Sequence, residues 1–238
     1  MIELTQQPDY SFGSKEAISA LNEKDQANLL LISDSHGNKR VLQAIIENFG
    51  SKCDALCFCG DGANDLIESL ERGFFDPEFG KNIPPVLFFV RGNGDNSTST
   101  IFTDQRIPVK IPETQEFYVA GAKFFLTHGH RYNVYYGLKD LKNELTFRNA
   151  DMGLYGHTHI PNAQNCQITI NGEKKYYGVL NPGSCAQARG GMPNTFTILT
   201  SLRNKRDSYC TYYKVTEDKN DIISFEIFST PLGEIKLF

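Results

Sequence analysis

The chain has 238 residues, 40% hydrophobic and 22% charged, with 24 basic against 28 acidic side chains and a formal net charge of −4. That composition excludes a collagen, a coiled coil and a disordered chain. No apolar run reaches the ~18 residues that span a membrane, and mild acidity without a Lys/Arg stripe speaks against long nucleic acid as a partner.

Residues 1–10 are polar and carry acids, unlike a secretory signal. The six cysteines (Cys53, Cys57, Cys59, Cys166, Cys185 and Cys210) are therefore expected as reduced, mostly buried thiols of a cytoplasmic protein. A short helix is read over 14–21, on an N-terminal extension (1–27) outside the main core. The run 29–32 reads as a buried parallel strand. Val41, Leu42, Ile45, Ile46 and Phe49 then recur at helical spacing, with Gly50 as the stop. A second strand is read over 55–59, a helix through Leu66, Ile67 and Leu70 up to Gly73, and a third strand over 86–90. Strand–helix–strand–helix–strand predicts parallel βαβ units with right-handed crossovers.

After residue 106 further strands are read over 107–111, 117–119, 123–127 and 152–155, with a helix over 137–148 between the last two. Strands at 167–170, 176–180 and 195–199 follow, with Asn171-Gly172 as a turn. Residues 209–215 and 222–228 form a terminal hairpin on a C-terminal extension (201–238), able to extend a sheet or pair with another subunit. One domain over 1–238, with two packed sheets and a core at about 28–200, accounts for this pattern.

Every apolar run that matters ends in residues able to bind metal. The first gives Asp34-Ser35-His36, the second Gly60-Asp61, the third Gly92-Asn93, the run at 123–127 His128-Gly129-His130, and that at 152–155 Gly156-His157-Thr158-His159. Ligands in open α/β sheets bind beyond the carboxyl ends of strands. The chain has only five histidines, all in these clusters. Isolated surface or core histidines would not fall this way five times, nor explain Asp34, Asp61 and Asn93 beside them. Glycines flank each cluster, as a crowded ligand site requires.

Together these motifs resemble the calcineurin-like metallophosphoesterases. Asn181-Pro182-Gly183-Ser184 followed by Arg189 is similar to the YfcE-like phosphodiesterase subgroup. The resemblance runs from about residue 29 to 199. It implies a four-layer αββα sandwich of two mixed β-sheets and a binuclear metal centre. By motif position Asp34, His36, Asp61 and His159 are implied as ligands of one metal. Asn93, His128 and His157 are implied for the other, with Asp61 as the bridge. Two divalent ions ~3.5–4 Å apart can clamp an in-line displacement and hold a bridging hydroxide. Six-coordination by mixed N and O ligands favours Mn²⁺, with iron, nickel or zinc as alternatives.

The pattern departs from the family at Gly92-Asn93-Gly94-Asp95, where Gly94 replaces a histidine that helps protonate the leaving oxygen. His130 is the remaining candidate for that proton or for a substrate contact, unless it only orients the His128 loop. Asp95 is expected to brace the loop, Asn93 and Arg189 to contact phosphate, and a positive φ at Gly94 would bar a side chain there. The function implied is hydrolysis of small-molecule phosphate esters, foremost phosphodiesters. The alternatives are a phosphomonoesterase or nucleotide pyrophosphatase with the same site, or a non-catalytic scaffold like the retromer subunit of similar fold. A homo-oligomer is compatible with all three.

Overall fold

The computed structural model describes residues 4–170, 173–204, 208–229 and 235–237; the Asn171-Gly172 turn lies outside them. Its helices are α1 (Lys15–Glu23), α2 (Lys39–Phe49), α3 (Ala63–Phe75), α4 (Pro77–Gly80) and α5 (Lys139–Phe147). The first sheet has the order β13-β12-β11-β1-β2-β3, with β14 also on β12. It is built from β1 (Gln26–Ile32), β2 (Ala55–Phe58), β3 (Val86–Phe89), β11 (Asn194–Leu202), β12 (Ser208–Glu217), β13 (Ile223–Ile227) and β14 (Ile235–Leu237). The second has the order β6-β7-β8-β10-β9, from β6 (Thr114–Val119), β7 (Ala122–Thr127), β8 (Met152–Leu154), β9 (Asn162–Ile170) and β10 (Glu173–Asn181). A separate hairpin joins β4 (Thr98–Phe102) to β5 (Arg106–Lys110).

Alternation along the apolar runs decides how these pieces stack, because successive strand side chains face opposite ways. Leu30, Ile32, Leu56, Phe58, Leu87 and Phe89 face α2 and α3, meeting Val41, Ile45, Leu66 and Leu70. Their neighbours Leu29, Leu31, Cys57 and Phe88 face the second sheet, meeting Phe117, Phe124, Leu126 and Leu154. The far side of that sheet, through Phe125 and Val179, packs on Leu141 and Leu145 of α5. The layers are therefore helix, sheet, sheet, helix. Both sheets are mixed: β1, β2 and β3 run parallel while β1–β11 is antiparallel, and β7–β8–β10 run parallel between antiparallel edges. All six cysteines are free and buried, and Cys57 and Cys59 lie in the core between the sheets.

Several boundaries differ from the sequence reading. Gly73 does not end α3, which continues to Phe75; it sits where α4 crosses, and a Cβ on Gly80 would stand 2.2 Å from its carbonyl oxygen. Gly50 does end α2 as expected, as its C-cap in a right-handed conformation, and a 3₁₀ turn (Gly50–Lys52) follows. Strand β4 escaped notice because only Ile101 in it is buried. The N-terminal segment is not outside the core. Phe12 exchanges two 2.9 Å backbone hydrogen bonds with Leu87 on the free edge of β3, and its ring is fully buried against Phe89. Leu21 of α1 is buried between the sheets. At the other end, β12 and β13 extend the first sheet and bury Val215 and Tyr212. Phe12→Ala is expected to cost about 3–5 kcal/mol in urea denaturation, the usual loss for a fully buried phenylalanine; a change below ~0.5 kcal/mol would mark the segment as an appendage.

Candidate metal centre

The carboxyl ends of β1, β2 and β3 meet those of β7 and β8 at one rim, and loops of the two sheets are sewn together there. Asp34 N–H donates to the Gly60 carbonyl (2.9 Å), His36 N–H to that of Asp61 (3.1 Å), and Gly156 N–H to that of His128 (3.1 Å). The turns are sharp. Asp34, His36, Asp61, His157 and His159 all hold positive φ, half of the ten described non-glycine residues that do. Each such residue stores on the order of 1 kcal/mol of backbone strain. Two glycines admit the close approach this needs. A Cβ at Gly92 would lie 2.0 Å from Asp61 Oδ1, and one at Gly156 would lie 2.1 Å from Ser33 Oγ.

Buried polar residues hold the turns: Asp65 and Tyr212, which the sequence reading passed over, and Asn181 and Ser184, which it quoted in a motif without a role. Asp65, on the first turn of α3, accepts from Ser35 Oγ (2.5 Å) and Gly37 N–H (2.9 Å). Its signal was present: an acid beside Leu66 on a face otherwise apolar. Ser184 Oγ donates to the Asp34 carbonyl (2.7 Å). Asn181 donates to the Gly156 carbonyl (2.9 Å) and Thr158 Oγ (3.0 Å), fixing the His157–His159 turn. The Tyr212 hydroxyl, from the C-terminal extension, donates to the Asn181 carbonyl (2.9 Å). Asp95 braces its loop as expected, taking the N–H groups of Asp61, Gly62, Ala63 and Gly92 at 2.7–3.0 Å and capping α3.

Held this way, the donors form two groups able to hold a metal ion, Asp34 with His36 and His159, and Asp61 with His128 and His157. His159 Nδ1 donates to the Gln187 carbonyl (2.5 Å) and His128 Nδ1 to that of Cys59 (2.7 Å). Each ring therefore turns Nε2 inward, the nitrogen that offers a metal its lone pair when the ring is neutral. The lone pairs meet one another: His159 Nε2 lies 3.0 Å from His36 Nε2, and His128 Nε2 lies 3.1 Å from His157 Nδ1. Asp34 Oδ2 accepts from Ser33 Oγ (2.5 Å) and His157 N–H (3.1 Å). Its buried Oδ1 has no donor and faces His159 Nε2 at 3.2 Å, His36 Nε2 at 3.7 Å and His128 Nε2 at 4.0 Å. An orphaned carboxylate oxygen ringed by imidazole lone pairs fits a cation. The two groups adjoin, since Asp61 Oδ2 stands 3.3 Å from His128 Nε2 and 3.9 Å from His36 Nε2.

The proton equilibria point the same way. Burial opposes the charge on Asp61, but the hydrogen bond and charge of His128 and the Gly94 N–H outweigh it, so the carboxyl lies well below the usual range. Burial also pulls His128 and His159 down, yet Asp61 and Asp34 raise both above an ordinary imidazole. Burial and then His128 lower His157 to about 4, leaving it neutral at physiological pH. Where carboxylates draw protons onto neighbouring imidazoles, a metal ion competes for the same lone pairs.

The other expected residues fall around this centre. Asn93 is exposed on the loop after β3. Its neighbour Gly94 donates its N–H to Asp61 Oδ1 (2.8 Å). Gly94 is not among the glycines of positive φ, and a Cβ there would stand 3.3 Å from Asp61 Oδ1, so the expected bar to a side chain is only a tight contact. The His130 ring centroid lies 5.5 Å from that of His128 and 6.1 Å from that of His157, with a buried, unpartnered Nδ1. Arg189 is exposed. Its N–H donates to the His159 carbonyl (3.2 Å), and its guanidinium bonds the Tyr135 hydroxyl, which itself donates to the His157 carbonyl (2.9 Å).

A family model for the calcineurin-like phosphoesterase superfamily domain matches residues 28–204. Phosphodiesterase YfcE of Escherichia coli K12 is 27% identical over 176 residues, covering 72% of this chain and 86% of its own. A structure from Streptococcus pneumoniae TIGR4, described as a conserved protein and predicted phosphoesterase, aligns with a TM-score of 0.53 at 22% identity, over 86% of this chain and 99% of that one. Vacuolar Protein Sorting 29 from Cryptosporidium parvum gives a TM-score of 0.55 at 18% identity, over 87% and 100%. These structural likenesses speak to the fold alone.

Asp34→Asn replaces the orphaned charge with a group that can offer a donor to the facing lone pairs. In chelator this variant is expected to melt about 2–6 °C above the wild type, matching relief of ~1–2 kcal/mol in a domain of this size. With Mn²⁺ the order reverses, because only the wild type gains from binding. Scanning calorimetry in both conditions makes the comparison.

Proposed function

The chain belongs to the calcineurin-like phosphoesterase superfamily, and on that premise we propose that it is a phosphodiesterase with a binuclear metal centre, acting as one domain over 1–238 on small-molecule esters in the cytoplasm. The observation that carries this reading is the pair of adjoining donor groups whose imidazole lone pairs converge on Asp34 and Asp61. Asp34, His36 and His159 would hold one ion and His128, His157 and Asn93 the other, with Asp61, which faces both groups, as the carboxylate they would share. The mixed N and O donor set suits Mn²⁺. Two such ions supply Lewis-acid polarisation of the phosphoryl oxygens and a nucleophile drawn from water near neutral pH.

The protein's own part is geometric. The backbone carbonyls of Cys59 and Gln187 fix which nitrogen of His128 and His159 faces inward. Asp65, Asp95 and Asn181 hold the strained turns so that no reorganisation is required during reaction. Arg189 offers a forked donor to a phosphate oxygen, and Asn93 reaches the same space. His130, whose ring lies beside those of His128 and His157, carries the proton to the leaving oxygen in place of the side chain that Gly94 lacks. A diester is favoured on charge: two divalent ions, two carboxylates and hydroxide leave one positive charge, which a diester monoanion neutralises and a monoester dianion overshoots. The filled donor set favours catalysis over a purely scaffolding role.

Hydrolysis of an aryl phosphodiester is expected to disappear in chelator and return with Mn²⁺, with about two metal ions per chain by elemental analysis. Full activity in a metal-free protein would overturn the reading. Asp61→Ala is expected to lose at least about tenfold more activity than Asp34→Ala, since only the bridge touches both ions; equal losses would remove that assignment. Rates are expected to fall steeply as the leaving-group pKa rises. His130→Ala steepens the dependence and Gly94→His flattens it, within the ~10²–10⁴-fold span of general acid catalysis. A series unaffected by either change would mean that the proton comes from elsewhere.

A further inference from the structure

The loop between β7 and α5 carries Tyr135 to the exposed side of the His157–His159 turn. It leaves β7 through Gly129 (φ 103°), turns at Asn133 (φ 51°) and turns back at Gly137 (φ 121°). The Asn133 amide donates to Asp140 Oδ2 (3.1 Å), and Val134 is buried. A Cβ on Gly129 would stand 2.9 Å from Val134 Cγ2, so the loop is packed onto its own start. Tyr135 follows Val134 directly. Its ring meets the His157 ring edge-on, with centroids 4.6 Å apart. Its hydroxyl proton goes to the His157 carbonyl (2.9 Å). Towards Arg189 the hydroxyl can therefore only accept, and a guanidinium can only donate.

Arg189 spans the same turn from the other end. Its backbone N–H donates to the His159 carbonyl (3.2 Å), while its side chain reaches Tyr135 on the His157 side. The two histidines belong to different donor groups, so the guanidinium lies beside a turn that serves both. Its anchor is a neutral phenol instead of a carboxylate, which leaves the positive charge available to an anion. The bond uses Nη1 and leaves the Nε–Nη2 edge, a pair of N–H groups that can meet two phosphate oxygens together. A hydroxyl polarised by the cation also grips the carbonyl harder, so arginine, phenol and carbonyl hold one another. From this geometry, and resting on the phosphodiesterase reading above, we propose that Tyr135 is a positioning residue for the substrate phosphate. Fixed on the His157 carbonyl, its hydroxyl sets where the Arg189 guanidinium stands relative to the metal ligands.

Tyr135→Phe keeps the ring against His157 and removes only the hydroxyl. On the full chain with Mn²⁺ it is expected to raise KM for bis(4-nitrophenyl) phosphate about tenfold, the size of one hydrogen bond to a charged group, and to change kcat less than about threefold. Arg189→Ala is expected to raise KM at least as far. Adding Tyr135→Phe to Arg189→Ala is expected to raise it no further, because residues acting through one contact do not add. A wild-type KM in Tyr135→Phe, or losses that multiply in the double variant, overturns the proposal. Loss of Mn²⁺ from Tyr135→Phe by elemental analysis overturns it too, since the hydroxyl would then be holding His157 and not Arg189. A wild type that hydrolyses no diester would instead defeat the phosphodiesterase reading. In that case calorimetry with inorganic phosphate decides for Tyr135: Tyr135→Phe must weaken phosphate binding to the Mn²⁺-loaded protein about tenfold, and only where Arg189 is present. Equal affinities overturn it.

Discussion

Asp34 Oδ1 is a buried carboxylate oxygen without a hydrogen-bond partner, facing the Nε2 atoms of His159, His36 and His128. An uncompensated charge in that setting costs several kcal/mol. The groups that answer it are those imidazoles: Asp34 and Asp61 raise the proton affinity of His128 and His159, and both rings turn Nε2 inward because backbone carbonyls hold their Nδ1 atoms. The site is thus complementary to a missing positive charge, and the two sheets are stacked with their carboxyl ends together so that this complementarity can be assembled from five separate loops.

Such an arrangement has to be held against strain and repulsion. The strained turns do not stand alone: the carbonyls and amides around them are each tied to a side chain anchored in the core. Asp95 takes four N–H groups, Asp65 ties the Ser35–Gly37 turn to α3, and Asn181 ties the end of β10 to the turn after β8. Removing a ligand leaves this frame in place, whereas removing a brace lets several ligands drift together. The C-terminal strands take part, since Tyr212 of β12 steadies Asn181 across the space between the sheets.

Much of this was legible in the sequence because it lay in local patterns. Apolar runs closed by Asp, Asn, His and Gly marked strands and site together, whereas the layer order came from the family resemblance, since those runs are apolar on both faces. Asp95 was readable as a brace from its place beside Asn93. What escaped were features that depend on a distant partner. The polar strand β4 exists because β5 pairs with it. Phe12 is buried only because β3 has a free edge, and nothing near Phe12 announces that. Gly73 looked like a helix stop until α4 was seen to press against it. Asp65 was visible as an oddity on an apolar face, but its purpose required knowing that the Ser35–Gly37 turn folds over it.

The position of β1 bears on how the chain comes to fold at all. This strand is central to the first sheet, with β2 on one side and β11 on the other, so that Leu29 faces both Ala55 and Leu199. The first partner emerges soon after β1, the second only when most of the chain has been made. At synthesis rates of ~5–20 residues per second, one edge of this central strand waits on the order of ten seconds without its neighbour. During that interval the nascent protein offers an open β-edge to any passing strand. A ribosome-bound chaperone, or a pause that keeps concentration low, would matter more for the yield of this protein than its final stability suggests.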